Sequence, residues 1–130
     1  VTTARDVIVS ALRLIHVLGA GDPVAAHDEE IGLERLNDML ASWATKGVDI
    51  GHYPLTINQT FPLEERHVRG AKALLAAELA PDFGKSVTDA VALAARDGWL
   101  AIQAEYVLPD DATFDAGIVR TPARKWIATG

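Results

Sequence analysis

Leu63-Glu64-Glu65-Arg66-His67-Val68-Arg69-Gly70-Ala71-Lys72-Ala73-Leu74-Leu75-Ala76-Ala77-Glu78-Leu79-Ala80-Pro81-Asp82-Phe83-Gly84 decides the fold. Val68, Ala71, Leu74, Leu75 and Leu79 recur at three- and four-residue steps, the spacing that lines one face of an α-helix. The pattern predicts a helix from Leu63 or Glu64 to Leu79, stopped by Pro81, which lacks an amide hydrogen and disfavours a helical residue before it. Gly84 then supplies a positive-φ turn, and Ser86 is placed to cap a following helix.

That following helix carries Val91, Ala94 and Ala95 and runs towards Ile102 and Tyr106. Gly98 weakens it by about 1 kcal/mol relative to alanine, unless another backbone packs against the bare Cα. Nearer the start of the chain, Thr2 or Thr3 caps a first helix whose Val7, Ile8, Ala11, Leu12 and Ile15 share a face, ended by Gly19-Ala20-Gly21-Asp22-Pro23. A second helix opens at His27 or Asp28, where Asp28, Glu29 and Glu30 meet the positive end of its dipole. Its apolar stripe is Leu33, Leu36, Met39, Leu40 and Trp43, and Lys46-Gly47 stops it.

Between the second and third helices the period falls to two. Tyr53, Leu55, Ile57, Phe61 and Leu63 alternate with polar residues and prolines, which is extended chain. Pro54 and Pro62 cannot donate to a sheet ladder, so the segment reads as an arm, a short hairpin or an edge strand. The expected architecture is mainly α: a small four-helix domain over 1–106 with the arm at about 50–63, and an extended C-terminal tail over 107–130. The predicted core comprises Leu12, Ile15, Leu36, Leu40, Trp43, Leu74, Leu75, Leu79 and Val91.

Composition supports helices. Alanine occurs 22 times in 130 residues and aromatics make up 6%, so a core has to form from aliphatic side chains at close helix contacts. No cysteine is present, which excludes disulfides and thiolate metal sites. The formal charge of −6 argues against gripping DNA by its phosphates, which needs a surplus of Lys and Arg. The longest apolar stretch, Ala90 to Ala95, is far short of a membrane span of about 20 residues, and the chain reads as cytosolic or assembled from cytosol. The sequon Asn58-Gln59-Thr60 is accidental on that reading.

Catalytic and ligand signatures are weak. Leu79 to Ser86 ends in Gly-Lys-Ser like a phosphate loop, yet Leu79 occupies the place of the opening glycine and a helix, not a strand, precedes it. Gly19-Ala20-Gly21 likewise has no strand before it. The acids of His27-Asp28-Glu29-Glu30 are consecutive on a helix and diverge by about 100° per residue, so they do not converge on an ion. His16, His52 and His67 have no partner at a metal-ligand spacing. Trp43 and Trp99 read as helix contacts rather than cofactor platforms. The expectation is a non-enzyme without cofactor or metal.

Three pieces in order carry a family resemblance: Asp6-Val7-Ile8 with Ala11-Leu12-Arg13 and Ile15, then Gly19-Ala20-Gly21; Leu36-Asn37-Asp38-Met39-Leu40-Ala41-Ser42-Trp43; and Ala73-Leu74-Leu75-Ala76-Ala77-Glu78-Leu79-Ala80-Pro81-Asp82-Phe83-Gly84. Over most of residues 3 to 106 this resembles the head-to-tail connector adaptors of tailed phages and phage-like gene transfer agents, a group that includes packaged-DNA stabilisation proteins. The resemblance implies a structural virion protein at the head–tail interface, assembled in the host cytoplasm. It further implies a ring of copies, a dodecamer by family likeness, that binds the portal protein above and a connector or stopper protein on the tail side. DNA would pass through the channel without specific binding, and no membrane is involved. The arm here is shorter than the family's usual hairpin.

Two segments are the expected contact sites. The arm, through Tyr53, Leu55, Ile57 and Phe61, is expected to touch a neighbouring subunit, because so small a bundle has little room for it. The tail carries Phe114, Ile118, Val119, Arg120, Arg124, Lys125, Trp126 and Ile127, too much apolar surface for a solvated linker. It either folds back on Glu30, Glu34 and Asp38 or docks in a portal groove with Trp126 as anchor. The competing function is a small helical regulatory or protein-binding module unrelated to virions; a small enzyme using the histidines is a third.

Overall fold

The computed structural model describes residues 1–50 and 54–107, and these fold around the helix anticipated at the centre of the sequence. Four α-helices form: α1 Ala4–Leu14, α2 Ala26–Thr45, α3 Glu65–Leu79 and α4 Asp89–Tyr106, with a 3₁₀ segment Ala80–Phe83 between the last two. α3 is the hub, because eight of its fifteen residues are buried and it packs against α1, α2 and α4. No strand occurs among the described residues; the nearest feature is a single antiparallel bridge between Thr3 and Thr60.

The core is one cluster that runs from Ala4 to Ile102. Seven of the nine predicted core residues lie in it fully buried: Leu12, Ile15, Leu36, Leu40, Trp43, Leu75 and Leu79. Each large aliphatic among them contributes about 1.5–3 kcal/mol by leaving water. Leu74 and Val91 are half-buried at its edge instead, because the helical stripes to which they belong turn towards solvent there.

Local chemistry sets the boundaries. α1 starts on a reciprocal capping box, in which the Asp6 amide donates to the Thr3 hydroxyl and the Thr3 amide donates to the Asp6 carboxylate. It ends earlier than expected, at Leu14, with His16 at φ 64°. α2 begins at Ala26 without a side-chain cap. α4 is capped by Thr88, whose hydroxyl accepts from the Val91 amide, so Thr88 and not Ser86 is the N-cap. Gly84 adopts the left-handed conformation at φ 66°, as its place after the 3₁₀ turn requires.

The arm corrects the sequence reading. Its alternation is real, since Leu55, Phe61 and Leu63 are buried and Ile57 is half-buried, but the surface that covers them is the chain's own core. Leu55 and Phe61 are therefore unavailable as contacts to a neighbouring subunit. The physical reason lies in the backbone. A helix start leaves its first amides without partners, and those of α1 are met by the arm: Ala4 donates to the Gln59 carbonyl at 2.9 Å and Arg5 to the Ile57 carbonyl at 3.0 Å. Phe61 in turn donates to the Thr2 carbonyl at 2.8 Å. The Asn37 side chain brackets Leu55 from the other side, accepting from its amide at 2.6 Å and donating to its carbonyl at 3.1 Å. Tyr53, the remaining arm residue, lies outside the described residues, as does the whole 108–130 tail with its eight expected contact positions.

Candidate interaction surface

α4 has the composition of a buried helix without the burial. Of its 18 residues only Ala95 and Ile102 are buried. On the opposite side Leu93, Leu100 and Ala104 fall in line at seven- and four-residue steps, with Leu93 57% and Leu100 54% exposed. Asp97 falls on the same line, between Leu93 and Leu100, and Arg96 lies beside it.

The inward side of α4 is held very close to α3. A Cβ built on Gly98 would stand 2.5 Å from the Gly70 Cα, and one on Gly70 would stand 2.7 Å from the Gly98 Cα. The two backbones touch, so the glycine that weakens the isolated helix is what admits the packing. Further along, Trp43 of α2 and Trp99 of α4 meet with ring centroids 5.5 Å apart, and the Lys46 ammonium sits 5.5 Å above the Trp99 ring. Both tryptophans are helix contacts.

Because α3 and α4 approach so tightly, their outer side chains diverge and leave a furrow. One end is lined by Arg66, Arg69, Gly70, Ala90, Leu93, Ala94, Asp97 and Gly98. The other reaches the end of α1 as a cavity of about 350 Å³, floored by Leu14, Ala73, Val91 and Ala94 and rimmed by Arg13, Arg69 and Lys72. Arg66 is already engaged, by Glu64 at 2.9 Å and by Glu105. Arg13, Arg69 and Lys72 have no carboxylate partner among the described residues. Three cations without an ion pair around an apolar floor stand out in a chain with a net charge of −6, although Asp6 lines the adjoining hollow with Arg13 and Lys72.

Other charged groups hold the fold. The Glu105 carboxylate takes hydrogen bonds from Arg66 and from the ring of His67, which is 94% buried and 3.1 Å away. Those bonds, Arg66 first, pull the Glu105 carboxyl from 4.5 down to about 2 against the opposing effect of desolvation. Tyr106 packs edge-on against His67 at 5.4 Å, and its hydroxyl accepts from the Glu64 amide at the start of α3. Arg35 of α2 grips Asp82 at 2.6 Å and depresses its pKa in the same way. Sequence spacing missed the His67–Glu105 pair, since 38 residues separate the two.

Among the described residues no group of three or more His, Cys, Asp or Glu side chains is placed to hold a metal, and no helix is long and apolar enough to cross a membrane. Gly84-Lys85-Ser86 forms the turn after the 3₁₀ segment rather than a loop between strand and helix. No protein-family model matches the chain, and no curated protein matches it.

Proposed function

We propose that this protein is a structural adaptor: copies of it form a ring under a phage portal and join the DNA-filled head to the tail. The observation that carries the reading is the α4 ridge of Leu93, Leu100 and Ala104, which the described residues leave exposed. Two leucines more than half exposed on one helix line, with the Asp97 carboxylate between them, fit an interface that pairs apolar contacts with a charged one. In a ring it is the side that meets the next subunit, taking the place first given to the arm. The basic, aromatic end of the tail, Arg120 to Ile127, binds the portal, with Trp126 as its anchor and the cations pairing at the rim. A net charge of −6 suits a channel wall that DNA slides past without being held. The role is non-catalytic and needs no cofactor.

Co-expression with the portal protein of the same genome, followed by electron microscopy of the purified particles, tests the reading. The expected result is an added ring of density on the portal at the side where the tail attaches. Portal rings without added density, and no co-purification, would favour the helical regulatory module instead.

A further inference from the structure

We propose that the cation-rimmed furrow between α1, α3 and α4 is filled by the chain's own segment Asp110-Asp111-Ala112-Thr113-Phe114-Asp115, with Phe114 in the apolar cavity and the three aspartates facing Arg13, Arg69 and Lys72. This holds whether or not the chain assembles under a portal.

Three observations converge on that occupant. The first is charge. Arg13, Arg69 and Lys72 surround one cavity with no carboxylate partner among the described residues, and like charges held together are stabilised by an anion. Residues 108–115 hold three acids and no base, whereas residues 120–125 hold three bases and no acid, so the tail contains one segment of the right sign. Two acids of the body stand nearby, Asp97 beside Arg69 and Asp6 in the adjoining hollow with Arg13 and Lys72, but neither forms an ion pair with these cations.

The second is apolar fit. The floor of Leu14, Ala73, Val91 and Ala94 accepts an apolar side chain, and Phe114 is the one aromatic residue within the acidic segment. A cavity of about 350 Å³ has room for a phenyl ring without rearrangement of the helices.

The third is reach. Ala94 lies thirteen helical residues before Val107, about 20 Å back along α4 at 1.5 Å per residue. Phe114 follows Val107 by seven residues, and seven extended residues cover about 23 Å. A tail that turns back at Val107 thus brings Phe114 level with the cavity. The consequence is a division of labour within the tail: its acidic half is stowed on the body and its basic half is left for a partner. Phe114 then belongs to the body and not to the docking element.

The cysteine-free sequence makes a direct test possible in the full chain. Ala90, exposed on the furrow's margin, is changed to cysteine together with Ala112, and intramolecular disulfide formation is followed by mass spectrometry in dilute protein under mild oxidation. The control pair is Ala92→Cys with Ala112→Cys, since Ala92 is exposed on α4 outside the furrow. The Ala90 pair is expected to close at least tenfold faster than the control. Adding Arg69→Glu and Lys72→Glu should remove the advantage, and adding Asp110→Lys and Asp111→Lys to those should restore it. Equal closure of the two pairs overturns the proposal, as does a disulfide found only between two chains, which would give the furrow to a second copy.

Discussion

Gly70 of α3 and Gly98 of α4 are in backbone contact, so close that a methyl group on either would stand within 2.7 Å of the other's Cα. Gly98→Ala ordinarily strengthens a helix by about 1 kcal/mol. Here the new Cβ meets main chain, which cannot rotate away, and α3 and α4 must separate. The expected outcome is a net loss of about 1–3 kcal/mol, the range for overpacked cores, read by urea denaturation. A gain in stability would show that the helices part without cost.

Asn37 does the work of a neighbouring strand for Leu55, with one bond to its amide and one to its carbonyl. Asn37→Leu removes both partners from a partly buried peptide and is expected to cost about 1–3 kcal/mol. Leu55→Ala is expected to cost about 2–5 kcal/mol as a core truncation. Values under about 0.5 kcal/mol, the range of ordinary surface changes, would return the arm to the role of a free contact.

Deletion of Thr56 to Thr60 follows the same logic. The Ile57 and Gln59 carbonyls that receive the first amides of α1 are lost with it, so the monomer's melting temperature should fall sharply. An unchanged melting curve would mean that α1 starts independently of the arm.

Acid should loosen the contact between α3 and α4. The Glu105 carboxyl is lowered in the fold to about 2 from 4.5. A carboxyl whose folded pKa is depressed gives stability that is complete above its unfolded pKa and is lost as pH falls towards the folded value. Glu105 therefore contributes fully above about pH 5 and progressively less from there to about pH 2, and Asp82, lowered by Arg35, acts in the same sense. Glu105→Gln should be less stable at neutral pH and lose less between pH 5 and pH 2 than the parent. Parallel pH curves for the two proteins would show that the carboxylate is not the titrating group.

Helical periodicity made the architecture legible because each helix buries one stripe: α1 and the second half of α2 follow their apolar spacing residue by residue. The alternation in the arm was equally visible, but sequence does not tell which surface covers an apolar face, and the carbonyls that cap α1 have no side-chain signature. The Gly98 reading needed a partner backbone, and only the fold could supply Gly70. The furrow was invisible for a related reason. Arg13, Arg69 and Lys72 come from two helices separated by more than 50 residues, and each alone looks like an ordinary solvated cation.

The central claim is that the α4 ridge is an assembly surface, and Leu93→Glu with Leu100→Glu tests it most directly. Both side chains are more than half exposed, so the double variant should keep the parent's thermal stability. Mixed with portal rings and separated by sedimentation, the parent should co-sediment as a closed ring of copies, while the variant should fail to form that ring. A variant that assembles as well as the parent would contradict the account.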